Sequence, residues 1–287
     1  MEKNKVINPC RWIRPSFAPS DSLYVETLPP YPSPVQALQE YAKEYENSDL
    51  RFCDEKFFYT CNKRETADDA SYYVTLIVVR NPAQVRGVLA KGELMQDETP
   101  LEAAQRTGAR ILVNGSFYEH DFSRCGADLW IKDEKILSGD HSNGREICLK
   151  KDGSFFSPGY NTAESVIKEG VVFSWGTFND TLIEHGKCCT LADKAWASEI
   201  YSRTGVGMVR PLEYYLITAG EGIKDHGLSL FREQEIFASL GCWYARDLDG
   251  GASTALIIDG VCIRDNVDPK IKEKHVSRRI PDFLAFF

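Results

Sequence analysis

Two stretches of this chain follow one local grammar, EAAQRTGARILVNGSF over 102–117 and QEIFASLGCWYARDLDGGAS over 234–253. Each passes from a helical pattern to a glycine, then to a short apolar strand, then to an Asx-Gly turn. The first helix is bounded by Thr99, which can cap, Pro100, which suits the first helical position, and Glu102, which can reach back to the cap N–H. Gly108 closes it, as glycine does where a helix ends in the left-handed region. The second helix is predicted over Ser229–Leu240 and ends at Gly241. Strands Ala109–Val113 and Trp243–Leu248 then run into Asn114-Gly115 and Asp249-Gly250-Gly251. The spacing allows an internal duplication that sets two Asx-Gly turns around one site. It is equally the ordinary punctuation of an α+β domain, because the closing glycine stands six residues before Asn114 but eight before Asp249.

Further β-branched and aromatic runs predict strands at Ser71–Arg80 and at 127–132, 145–150, 166–174, 203–209, 213–218, 254–264 and 282–287. The expected fold class is α+β: mixed, mostly antiparallel sheets wrapped around a few helices, with an internal pseudo-duplication allowed. Seven of the thirteen prolines fall in the first 34 residues, which predicts an irregular arm. Val35, Leu38, Ala42 and Tyr45 recur at helical spacing, so a helix is expected over 34–47. Residues 1–65 therefore read as an N-terminal extension and 66–287 as the main domain.

A chain of 287 residues, 43% hydrophobic, can bury a core without a disulfide or metal staple. Its longest apolar stretch, Tyr72–Val79, is far short of the roughly 20 residues a spanning helix needs, so no membrane partner is expected. A net charge of −8 opposes bulk nucleic-acid binding. Nine cysteines, an odd number with no C-x-x-C pair, read as reduced thiols and not as a zinc site or disulfide framework. With no apolar signal segment near the start, the expected location is cytoplasmic.

Three motifs offer chemistry. In Leu248-Asp249-Gly250-Gly251-Ala252-Ser253-Thr254 a carboxylate is followed by two residues without side chains and then two hydroxyls. Successive N–H groups of Gly250 and Gly251, with Ser253 and Thr254, can cradle an anion beside an acid. The same letters also suit a plain hairpin turn. Asn114-Gly115-Ser116-Phe117 sets an amide beside aromatics, which fits a sugar as well as it fits a turn leading into core aromatics. Ser202-Arg203-Thr204-Gly205-Val206-Gly207 opens a strand with a guanidinium fork suited to phosphate, or simply with a surface arginine. Glu119-His120-Asp121 reads as a solvated loop and no metal site is expected. The basic stretch Lys270, Lys272, Lys274, Arg278 and Arg279 reads as a loop or as the rim of an anionic pocket.

In this order and spacing the three motifs resemble the phosphodiester glycosidase family, over roughly 66–287, with Gly176–Lys187 similar to its mid-domain hairpin and Arg279–Phe287 to its closing strand. The resemblance implies hydrolysis of a glycosyl phosphodiester, a sugar-1-phosphate ester or nucleotide-linked sugar, at the anomeric carbon, without a cofactor. It implies Asp249 as the water-activating or charge-stabilising carboxylate, with Asp247 or Glu221 as a second acid. Arg203 and the Gly250 and Gly251 amides would hold phosphate, and Asn114 and Thr204 would orient the ligand. Three positions depart from the family pattern: Ala219 stands where an Asp is common, Asp247 where Asn is common, and Ser116 where a second Gly is usual. The alternative is a protein that binds and sequesters a phosphorylated sugar or nucleotide without cleaving it. Oligomeric state is not legible.

Overall fold

Phe57–Glu65 pairs along its whole length with Ser71–Val79, and this ladder begins the largest sheet of the protein. The computed structural model describes residues 43–118, 128–178, 181–221, 226–265 and 277–287. Across the eight-stranded sheet the order is Leu50–Cys53, Phe57–Glu65, Ser71–Val79, Glu213–Ala219, Arg203–Arg210, Tyr244–Asp247, Thr181–Glu184 and Lys187–Cys188. The expected boundary at residue 65 is therefore corrected: Leu50–Glu65 is part of the domain. Phe57 and Tyr59 face the central core while Phe58 faces the opposite cluster. Its first half, Phe57–Cys61, is buried on both faces and its second half, Asn62–Glu65, is polar, so no alternation along it marks a strand.

Two five-stranded sheets complete the fold. One runs Lys135–Ser138, Trp130–Lys132, Val171–Gly176, Glu146–Lys150, Phe155–Phe156; the other Val261–Asp265, Ala255–Ile258, Ile111–Asn114, Asp282–Phe286, Val85–Leu89. Every pairing among the described strands is antiparallel. The central core lies where the three sheets face one another, with Trp175, Tyr214, Leu256, Leu284 and Phe286 in one apolar cluster. Helix Leu230–Ser239 covers the outer face of the large sheet through Ile236 and Phe237. Helix Pro100–Thr107 covers the sheet that holds Ile111–Asn114 through Ala103 and Ala104. Helix Ala163–Lys168 covers the remaining sheet through Ala163 and Val166.

The boundary chemistry of the two longer helices is as the sequence predicts. Thr99 and Glu102 form a reciprocal capping box and Gly108 sits at φ 73°; Ser229 caps the second helix and Gly241 sits at φ 75°. The strand expected over 166–174 is instead a helix, Ala163–Lys168, followed by strand Val171–Gly176. Thr162 caps this helix and Gly170, at φ 82°, turns the chain out of it. The β-branched pair Val166 and Ile167 concealed that signal. The short helix Lys194–Ser198, capped by Asp193, was not anticipated. Most of the 34–47 helix, Glu119–Asp121, Lys270, Lys272 and Lys274 lie outside the described residues. No helix among the described residues is long and apolar enough to cross a membrane.

Candidate active site

The two Asx-Gly turns meet. Asn114 ends its strand fully buried, and its Nδ2 donates to the Asp249 carbonyl at 2.6 Å. Its Oδ1 accepts from the Thr204 hydroxyl at 2.7 Å and from the Ala255 N–H at 3.1 Å. In return the Asp249 N–H donates to the Gly115 carbonyl at 3.0 Å. Asn114 and Thr204 thus tie the ends of three strands together. The polar atoms of Asn114 and Thr204 that make these bonds face into the protein, where they position the turn that carries Asp249.

Asp249 stands at the centre of this junction, buried. Its Oδ1 accepts from the Gly250 N–H at 2.9 Å, while Oδ2 is buried and takes no hydrogen bond of ordinary length. Burial pushes its carboxyl up to about 7, with the Asp247 charge adding to the rise; Ser253, Arg278 and the Gly250 N–H pull the other way. A carboxyl poised there exchanges protons near neutral pH, as a general base or acid must. Arg278 approaches from the C-terminal segment, donating to the Ser253 hydroxyl at 3.0 Å with its guanidinium 4.8 Å from the Tyr118 ring centroid. Its charge is the one that pulls the Asp249 carboxyl down, and the rim reading of the basic stretch hinted at it.

A second buried carboxyl was missed altogether. Asp282 Oδ1 accepts from the Ser116 N–H and Oδ2 from the Ser116 hydroxyl, both at 2.6 Å. Burial pushes it up to about 7 as well, with the Asp249 charge adding to the rise against the two Ser116 bonds. Ser116 in turn accepts from the Gly176 N–H at 3.0 Å. The departure from glycine at position 116 therefore has a partner, and Gly115 is required beside it: a Cβ there would strike the Asp282 carboxylate and Trp175.

On the other side lies a buried charge group. Arg203 is not at the surface; its Nη1 reaches Asp247 Oδ2 at 3.4 Å, its Nε the Leu228 carbonyl at 3.2 Å and its Nη2 the Glu199 carbonyl at 3.4 Å. Glu233, from the helix over this sheet, faces the same spot. Burial first, then the Asp247 charge, push its carboxyl well above the usual carboxylate range, against the pull of Arg203. The protonated form of Glu233 is thereby favoured beside Asp247. Gly205 is what admits it, because a Cβ there would collide with the Glu233 carboxyl and Phe237. Ala219, fully buried, lies opposite Arg203 in the ladder.

Two groups expected in the site have other partners in the structure. The Gly250 N–H is taken by Asp249 itself and the Gly251 N–H by the Ser202 carbonyl at 2.9 Å, so the cradle expected of these amides is turned inward. A Cβ on Gly250 would also strike the Ser202 carbonyl. Glu221 sits on the surface, 3.9 Å from Arg264, and no contact joins it to Asp249 or Asp247 among the described residues. Ser253 and Thr254 are buried in the turn that follows; Ser253 is engaged with Arg278 and the Thr254 hydroxyl has no hydrogen-bond partner among the described groups. Phe117 is half-buried, 5.1 Å from the Phe178 ring.

Asp249 and Asp282 make a pH signature. Between about pH 4, where an unfolded Asp ionises, and about 7, the folded chain keeps protons that the unfolded chain has lost. Stability is therefore fully present below that window and declines as pH rises through it. Asp282→Asn is expected to flatten the decline, seen as a smaller loss of Tm from pH 4 to 8. It also removes a like charge from beside Asp249, so the ionisation of Asp249, followed by carboxyl NMR, should move to lower pH. An unaltered Tm profile would separate Asp282 from this coupling.

Residues 107–287 match the family described as Phosphodiester glycosidase. A human protein, N-acetylglucosamine-1-phosphodiester alpha-N-acetylglucosaminidase, is 22% identical over 176 residues, 55% of this chain and 34% of that protein. The chain thus spans about a third of the length of this curated relative. The fold is similar to the zebrafish N-acetylglucosamine-1-phosphodiester alpha-N-acetylglucosaminidase catalytic domain, auto-inhibited by its pro-peptide, with TM-score 0.64 and 16% identity over 84% of this chain and 85% of that one. It is also similar to a hypothetical protein from Synechocystis, with TM-score 0.57 and 13% identity over 80% of this chain and 62% of that one.

Proposed function

The chain belongs to the phosphodiester glycosidase family, and from that premise we propose that it hydrolyses a glycosyl phosphodiester at the anomeric carbon, with Asp249 as the reacting carboxylate. The observation that carries this reading is the buried Oδ2 of Asp249, without an ordinary hydrogen bond, on a group titrating near 7 beside Arg278. A phosphate monoester leaves an anomeric carbon far more readily than an alkoxide does, so strong general-acid help is not needed. The remaining work is to neutralise the phosphate, to stabilise oxocarbenium-like charge and to position water. Asp249 takes a proton from water as the water oxygen bonds to C1, the C1–O bond to phosphate breaks, and the phosphate monoester leaves with the electron pair. Arg278 faces the phosphate, replacing Arg203, whose guanidinium is committed to Asp247. Asp282 and Ser116 fix the turn that carries Asp249.

The test is incubation of the purified chain with a panel of glycosyl phosphodiesters and nucleotide-linked sugars, followed by mass spectrometry. Free sugar and phosphate monoester should appear in equal amounts from at least one member. Tight retention of an unchanged ligand would instead assign the protein to sequestration, the reading that Ala219 favours.

A further inference from the structure

The turn that carries Ser116 continues into an aromatic row that the chemistry above does not use. Phe117 lies 5.1 Å from Phe178, Phe178 5.5 Å from Trp196, and Trp196 4.8 Å from Tyr201, measured between ring centroids. These rings come from four separate segments: the turn after Ile111–Asn114, the end of Val171–Gly176, the short helix Lys194–Ser198, and the approach to Arg203. The first two segments are zipped together by the Phe117 N–H to the Gly176 carbonyl at 2.9 Å and by the Gly176 N–H to the Ser116 hydroxyl at 3.0 Å. At its far end the row reaches Arg203, whose guanidinium lies 5.7 Å from the Trp196 ring centroid and 5.3 Å from that of Tyr201. One end therefore abuts the Asp282–Ser116 pair and the other the Arg203–Asp247 pair.

The row runs from the edge of the outer core cluster, against which Trp196 packs, out to solvent at Phe178. Phe178 is 47% exposed and Ile200, beside Tyr201, also 47%, whereas the aromatics of the central cluster are closed to solvent. Scattered exposed apolar residues are ordinary. Rings from four segments, brought together along a line beside buried carboxyls, are not scattered. A single sugar ring needs one such platform, and Phe117 supplies it; the row continues for three further rings. The rings meet at interplanar angles of 52°, 69° and 37°, so they form an aromatic wall and not a stack, and the exposed Phe178 ring in that wall offers a face on which a planar π-system can stack regardless of base identity.

We propose that the phosphate-side group of the substrate carries an aromatic heterocycle, so that the substrate class is the nucleotide-linked sugar, with the heterocycle seated along Phe178 and Trp196. This rests on the phosphodiester reading of the same site, but it is tested by binding and does not need turnover. The probes are adenosine and uridine 5′-monophosphate against ribose 5-phosphate and mannose 6-phosphate, titrated into the full chain by calorimetry and by tryptophan fluorescence. The nucleotides should bind about tenfold or more tightly than either sugar phosphate and quench the fluorescence. Phe178→Ala, at an exposed position that should leave folding intact, should bring nucleotide affinity down to that of ribose 5-phosphate and leave the latter unchanged. Trp196→Ala should do the same and abolish the quench. Equal affinity for nucleotide and sugar phosphate, failure of the nucleotides to bind, or indifference to Phe178→Ala would overturn the proposal. Cleavage of a simple alkyl-phosphate glycoside together with that outcome would leave the hydrolase reading standing alone.

Discussion

Asp249→Asn is expected to reduce turnover of an accepted glycosyl phosphodiester by about 10²–10⁴-fold, the range of general acid–base contributions, while the melting temperature at neutral pH stays level or rises. The two parts have separate causes. The amide keeps an oxygen that can accept the Gly250 N–H, and Asn-Gly supports the same turn as Asp-Gly, so the backbone between Asn114 and Ser253 has no reason to move. A buried carboxyl held near 7 costs stability once it ionises, so removing it relieves the fold above that pH. What is lost is a group able to take a proton. Parallel thermal melts and mass-spectrometric rates settle both parts, and wild-type turnover with a normal melt would pass the reacting role away from Asp249.

Arg203→Met should be the most destabilising of the site substitutions, by about 3–5 kcal/mol, because it strands a buried Asp247 charge without its cation. Adding Asp247→Asn to Arg203→Met should recover a large part of the loss, since no unpaired charge remains. Urea unfolding of the single and double variants gives the coupling directly. A single-variant loss under about 1 kcal/mol would mean that the pair behaves like a solvated surface bridge, and that Arg203 is free for a ligand after all.

Local grammar was legible where a residue acts on its immediate neighbours. Thr99, Pro100, Glu102 and Gly108 bound a helix by backbone chemistry alone, and the structure follows them. The meeting of Asn114 with Asp249 was legible only as an allowed consequence of two similar units, because the contact spans 135 residues. Asp282 and Glu233 carried no signal at all. One is an acid in an apolar closing strand, the other an acid on a helix that reads as amphipathic, and each acquires meaning only when Ser116 or Asp247 is brought against it. Arg203 was read as a phosphate fork because a lone arginine before a strand gives no hint that a carboxylate two strand residues before Asp249 will pair with it. The partners of the Gly250 and Gly251 amides are hidden for a related reason: the sequence permits the cradle, and the acceptor of the Gly251 N–H is the carbonyl of Ser202, which the sequence cannot place nearby.

Hydrolysis in ¹⁸O-labelled water reads directly which bond breaks. A glycosyl phosphodiester accepted by the chain is turned over once in the labelled solvent, and the two products are weighed. Attack at the anomeric carbon, with the phosphate leaving, puts the heavy oxygen in the sugar and leaves the phosphate monoester unlabelled. Label in the phosphate monoester would mean attack at phosphorus, a phosphodiesterase built on the same fold, and would contradict the account.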